Sequence, residues 1–187
     1  MTAETKKANA NAQFGLTVAQ KITSGVILLA LSTLVVPLNP LFNQPGWGMA
    51  FFVLYGLVLG VVTWYISAGW SFKLEITAGE IKVRDGHREV LVPMDKLGMV
   101  VKNGRLPVLP SLWLVLRGVE NVGREIPKKG VDPRTRELIE AFQKRNPGKK
   151  ITYVPVPGGY VRSIPEFIAE LKRRIPPLTI DERLGGK

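Results

Sequence analysis

The chain has no cysteine and a single histidine, His87. The first absence excludes disulfides, thiolate nucleophiles and Cys-based zinc sites, and is neutral about compartment. The second removes metal sites built on several imidazoles. Phosphate-cradling loops, dinucleotide fingerprints, zincin motifs and nucleophile elbows are also missing, and Gly158-Gly159 is too short for a phosphate and reads as a turn. No cofactor or metal is expected. Acid is in short supply: 26 Lys plus Arg face 15 Asp plus Glu, a net charge of +11. The longest absence is of charge itself. From Ile22 to Phe72 there is no Asp, Glu, Lys, Arg or His, and Lys21 and Lys73 stand at the two ends.

A bilayer core about 30 Å thick needs roughly 20 apolar residues per helix, at about 1.5 Å each. The uncharged stretch is long enough for two crossings. It is broken at Pro37-Leu38-Asn39-Pro40-Leu41-Phe42-Asn43-Gln44-Pro45-Gly46, where prolines and asparagines rule out a continuous helix. The sequence predicts a transmembrane helical hairpin over 21–70, with helices at about Lys21 to Pro37 and Trp47 to Gly69. Trp47, Trp64, Tyr65 and Trp70 fall near the expected water boundaries, as an aromatic belt requires. Lys6 and Lys7 ahead of an apolar run also suit a signal peptide, but no small-x-small cleavage site precedes the prolines, and a longer apolar segment follows. An anchor is the expectation.

Lys21 on one flank and Lys73, Lys82 and Arg84 on the other make both flanks positive, while the connector carries no charge. The positive-inside rule then puts both termini in the cytoplasm. Nearly all the basic excess lies after Phe72, beside an anionic leaflet, where each nearby Lys or Arg is worth about 1 kcal/mol. That favours a membrane surface or an acidic partner over nucleic acid.

Residues 1–20 begin as a small, polar arm with nothing to bury, expected to be mobile or to lie along a partner. After Gly69 the apolar period changes to two. Phe72, Leu74 and Ile76 alternate with Lys73 and Glu75, Ile81 and Val83 with Lys82 and Arg84, and Val90 and Val92 follow an Asp85-Gly86 turn. Further strands are expected at about Leu97–Lys102, Leu112–Arg117 and Arg124–Ile126, and one more at Ile151–Val154 before a loop at Pro155 to Gly159. Two helices close the chain. Asp132 with Pro133 starts one, which turns Leu138, Ile139 and Phe142 to one face and stops at Asn146-Pro147-Gly148. Ser163-Ile164-Pro165-Glu166 is a capping box for the other, which buries Ile164, Phe167, Ile168, Leu171 and Ile175.

Several segments together carry a resemblance: Leu74 to Val83 with its central Ile76-Thr77-Ala78-Gly79-Glu80-Ile81, then Val92-Pro93-Met94-Asp95-Lys96-Leu97, then Leu112-Trp113-Leu114-Val115-Leu116. Behind an anchor, this resembles the bacterial PH-like domain, in which a helix packs across the open end of a bent sheet. The layout is also similar to the photosystem I assembly factor family of cyanobacteria and plastids. Gly79-Glu80-Ile81, Val101-Lys102-Asn103-Gly104, Leu116-Arg117-Gly118 and Ile126-Pro127 fall in that family's order. The resemblance implies an α+β membrane protein. A two-helix transmembrane hairpin leads into a PH-like antiparallel β domain over 71–146, and C-terminal helices cap it, the last in an extension over 147–187. It also implies a multi-pass protein of a bacterial inner (plasma) membrane or a thylakoid-type membrane.

Candidate contact residues follow. Gly56 and Gly60 in the second span form a small-xxx-small pair, suited to packing against the first span or to docking on another subunit. Lys128-Lys129, Lys149-Lys150 and Lys172-Arg173-Arg174 are three basic clusters, serving either as a solvated face or as a contact for anionic headgroups or an acidic partner. The run Leu106-Pro-Val-Leu-Pro-Ser-Leu-Trp113 is held extended by its prolines and offers Trp113 to a partner groove, unless it simply leads into a core strand. Paired carboxylates at Glu137/Glu140 sit on a helix face among Arg134, Arg136, Lys144 and Arg145, and Asp181-Glu182 lies in a tail. His87 sits in a hairpin turn. No catalytic residue is expected. The expected function is that of a non-catalytic, membrane-anchored adaptor, an accessory subunit or assembly factor of an integral-membrane, bioenergetic or photosynthetic complex. The alternative is a PH-like module that binds anionic lipid headgroups.

Overall fold

The structure, a computed structural model, describes residues 11–34, 40, 46–86, 88–104, 111–119, 121–161 and 163–184. His87, most of the Pro37–Gly46 connector, the Leu106–Pro110 part of the proline-rich run, and Lys6 and Lys7 lie outside the described residues. The fold is α+β, with four α-helices and two sheets among the described residues. The chain divides into two compact units, residues 16–72 and residues 1–15 with 73–187.

The uncharged unit holds helices α1 (Val18–Thr33) and α2 (Gly48–Ser71). Thr17 caps α1 by accepting from the Gln20 N–H, and the Gln20 side chain accepts from the Thr17 N–H in return. α2 has 24 residues and, alone among the described helices, is long and apolar enough to cross a membrane. None of its apolar stretch is buried within the chain. α1 is shorter than the expected span: its 16 residues reach about 24 Å at about 1.5 Å each. The two helices touch at both ends. Lys21 Nζ donates to the Trp70 carbonyl at 2.9 Å, and the Tyr55 hydroxyl donates to the Leu31 carbonyl. The hydroxyls of Thr23, Ser24, Ser32, Thr33 and Thr63 all donate back to their own helix, three or four residues earlier.

In the second unit, the alternating segments form β2 (Lys73–Ile76), β3 (Glu80–Asp85) and β4 (Arg88–Pro93), an antiparallel meander whose inward residues Leu74, Ile76, Ile81, Val83 and Val92 are buried. The expected polar arm joins this sheet. Ala12–Gln13 is β1, paired antiparallel with β2 at Ala12↔Ile76 and Gln13↔Glu75. Phe14 follows it into the core, its N–H bonded to the Leu74 carbonyl and its ring edge-on to Phe167 at 5.3 Å. Residues 11–14 are therefore an ordered part of the sheet, because burying Phe14 and completing the β2 edge offset the cost of fixing them.

The other sheet has the order β7-β8-β6-β5-β9. It is built on β5 (Leu97–Asn103) and β6 (Ser111–Arg117), with β7 (Arg124–Glu125), β8 (Ile151–Pro157) and the short β9 (Thr179–Ile180), which runs parallel to β5. The expected division after residue 146 falls inside this unit, since β8 lies between β6 and β7. β8 also runs further than expected, and a 3-10 turn at Gly158–Tyr160 replaces the rest of the expected loop.

α3 (Pro133–Arg145) starts at Asp132, whose carboxylate accepts from the N–H groups of Arg134 and Thr135. It lays Ile139 and Phe142 on Met99, Val101, Trp113, Val115, Ile151 and Tyr153. The Phe142 ring sits where a side chain at residue 98 would be: a Cβ on Gly98 would lie 2.3 Å from Phe142 Cζ, and β5 bulges there. α4 (Ile164–Arg174) is capped by Ser163 accepting from the Glu166 N–H, and it buries Phe167, Ile168 and Leu171. Ile164 and Ile175, expected in the core, are only half-buried.

Candidate functional site

Two of the three basic clusters meet at one groove. Arg136, Ile139, Glu140 and Gln143 recur at helical spacing along one side of α3. Opposite them run Glu125 to Lys128, leaving β7, and Lys149 to Ile151, entering β8. These segments enclose a groove of about 550 Å³, within the range of ligand sites at roughly 300–1,000 Å³. Its floor is apolar: Ile139 and Ile151 belong to the core cluster, and Ile126 and Val131 pack against it. Its rim carries Lys128, Arg136, Lys149 and Lys150 against Glu125 and Glu140.

Two of these cations have local duties. Lys150 Nζ lies 3.0 Å from Glu125 Oε1, with both side chains well exposed, so the pair adds little to stability. Arg136 Nη2 donates to the Lys128 carbonyl at 2.8 Å, which ties the 128–130 loop to α3. Lys128 and Lys149 are exposed and have no carboxylate partner among the described residues. Lys129, beside them, is exposed but does not line the groove. A second cleft of about 420 Å³, lined in part by β4 and β8, sets Asp85 and Glu89 against Arg88 and Arg124 and so has no excess of either charge.

The third basic cluster is occupied elsewhere. Arg173 and Arg174 both bind Glu170, at 2.7 Å and 2.6 Å, and Arg174 Nη1 also donates to the Thr77 carbonyl at 2.7 Å. The Arg174 side chain is 7% exposed. Hydrogen bonds from Arg173 and then Arg174 outweigh burial and hold the Glu170 carboxyl below its ordinary range. Lys172, between them and Leu171 in sequence, is exposed and takes no part in that ion-pair group. Lys172, Arg173 and Arg174 do not line the groove.

Trp113 is not a partner contact. It is 4% exposed and stacked on Tyr153 at 4.0 Å, on the middle strand of the second sheet. Gly56 and Gly60 face open space, since a Cβ at either would meet nothing within 4 Å. Neither therefore packs against α1 among the described residues, whereas Gly25 of α1 lies beside the Trp70 ring.

The pair Asp181-Glu182, expected in a tail, divides into two environments. Asp181 is buried and accepts from the Lys102 N–H, and Arg183 grips it through both carboxylate oxygens. Arg183 reaches on to Asp132, Thr135 and the Lys102 carbonyl. One arginine thus fastens the chain end to the start of α3. Burial alone would raise the Asp181 carboxyl, but hydrogen bonds from Arg183 and from the Lys102 and Arg183 N–H groups leave it below its ordinary value. The same contest, with Thr135 and Arg183 as donors, lowers Asp132. Glu182 is exposed and faces Arg134 at 3.8 Å, and Glu137 takes the same arginine at 3.9 Å, a salt-bridged helix face as expected.

Sequence reading missed Arg136 and the groove because their parts lie on three separate segments; the signal was Arg136 recurring with Ile139 on one side of a helix. No set of three or more Asp, Glu, His or Cys residues among the described residues is placed to hold a metal ion. The chain matches no family model, no curated protein and no solved structure, so the site is read from its own residues.

Proposed function

We propose that the chain is a non-catalytic, membrane-anchored adaptor. In this reading α1 and α2 form a transmembrane hairpin. The two-sheet unit is a PH-like module on the cytoplasmic side of an inner or thylakoid-type membrane. It serves an integral-membrane complex as accessory subunit or assembly factor.

One observation carries the reading. β1 is hydrogen-bonded to β2, so the apolar excursion leaves from and returns to neighbouring strands of one sheet. A chain that departs and arrives on one side of a bilayer crosses it an even number of times. α2, whose apolar stretch is unburied within the chain, then does not cross alone. The contacts Lys21 to Trp70 and Tyr55 to Leu31 support α1 as its return partner. Lys21 and Lys73 at the two flanks support the inside placement of both ends.

The outward Gly56 and Gly60 support lateral docking, because small residues let a second backbone approach closely. The bioenergetic, photosynthetic assignment rests on the sequence resemblance alone. Purification of the full chain in mild detergent tests the adaptor reading. A defined complex much larger than the chain is expected; a lone monomer under conditions that preserve other membrane complexes would contradict it.

A further inference from the structure

We infer that the groove between β7, α3 and the start of β8 binds an acidic segment of a protein partner, seated by an apolar side chain on the floor of Ile126, Val131, Ile139 and Ile151. The inference rests on the adaptor reading and names the chemistry that its partner presents.

Three features favour a protein segment over a lipid surface. The groove is a recess of about 550 Å³, whereas a leaflet presents a plane of charge. Its floor is apolar and continuous with the core, so an inserted Leu or Phe side chain is taken out of water there. Its rim is mixed. Glu125 and Glu140 stand among the cations, and fixed carboxylates oppose a uniform anionic sheet but select a segment whose charges fall only opposite Lys128 and Lys149. Those two lysines are exposed and have no carboxylate partner among the described residues, so they meet a partner's acids without breaking an existing pair. Rim charges of this kind steer association and make it salt-sensitive, while the apolar anchor supplies most of the affinity.

The test uses the full chain in its native membranes, with a benzoylphenylalanine photo-crosslinker in place of Gln143, an exposed groove residue. The expected result is one protein adduct whose cross-linked peptide carries Asp or Glu on both sides of an apolar residue. Its yield should fall at least tenfold in K128E/K149E, while the fold, followed by the Trp113 near-ultraviolet signal, is unchanged. A phospholipid adduct would overturn the inference in favour of a membrane contact. A neutral or basic peptide, or a yield indifferent to the double reversal, would also overturn it. If no adduct forms while a complex still co-purifies in mild detergent, the groove is not the docking point and the adaptor reading stands. If the chain also purifies alone, both fall.

Discussion

Arg183 gathers partners from three separate parts of the second unit. It binds Asp181, Asp132, Thr135 and the Lys102 carbonyl together, so the penultimate turn of the described chain holds β5 and the start of α3. Asp181 is its buried counter-charge. Asp181→Asn removes the buried charge while Arg183 keeps its ion pair with Asp132, so the expected cost is about 2 kcal/mol at neutral pH. The sign of the pH dependence follows from the lowered carboxyl. A folded-state value below the unfolded one gives stability that is complete above about pH 4 and is lost as pH falls through the folded value. Thermal unfolding of the parent and of Asp181→Asn should therefore differ most near neutrality and converge in acid. Curves that stay parallel down to low pH would show that the carboxylate is not what holds the latch.

At the scale of elements, β1 is the piece with the most leverage for its size. Two residues pair with β2, and Phe14 behind them packs on Phe167 of α4, tying the sheet edge to the last helix. Truncating a buried Phe costs about 3 kcal/mol or more, so Phe14→Ala is expected to lower the denaturant midpoint of the full chain clearly. An unchanged midpoint would mean that β1 is an ornament of the sheet. A fragment starting at Trp70 lacks this strand and is expected to be less stable than the same unit in the full chain.

Much of this level is legible from sequence, and the misses have physical reasons. β2 to β4 announce themselves by a period of two, β5 and β6 as short apolar runs covered on both faces, and α3 and α4 because Asp132 and Ser163 cap them at the expected places. β1 does not, since Ala12-Gln13 has neither alternation nor β-branched residues; tertiary pairing alone makes it a strand. Asp181 looks like tail because Lys102, which donates to it, and Asp132, which shares Arg183 with it, are far away in sequence. Trp113 suggests exposure because prolines precede it, yet it follows Ser111 and Leu112 on a strand whose two faces are both covered. The groove is the same problem at larger range, its cations meeting only once β8 has been inserted beside β7.

At the scale of the whole molecule, the account depends on an even number of membrane crossings with the basic unit on the inside. The chain's lack of cysteine makes this directly measurable, since each introduced cysteine is the sole target for a thiol label. Intact cells carrying Asn43→Cys in the connector, or Lys129→Cys in the basic unit, are exposed to a membrane-impermeant maleimide, with lysed cells as the reference. The account predicts that Asn43→Cys is labelled from outside and that Lys129→Cys is labelled only after lysis. Labelling of Lys129→Cys in intact cells would contradict it.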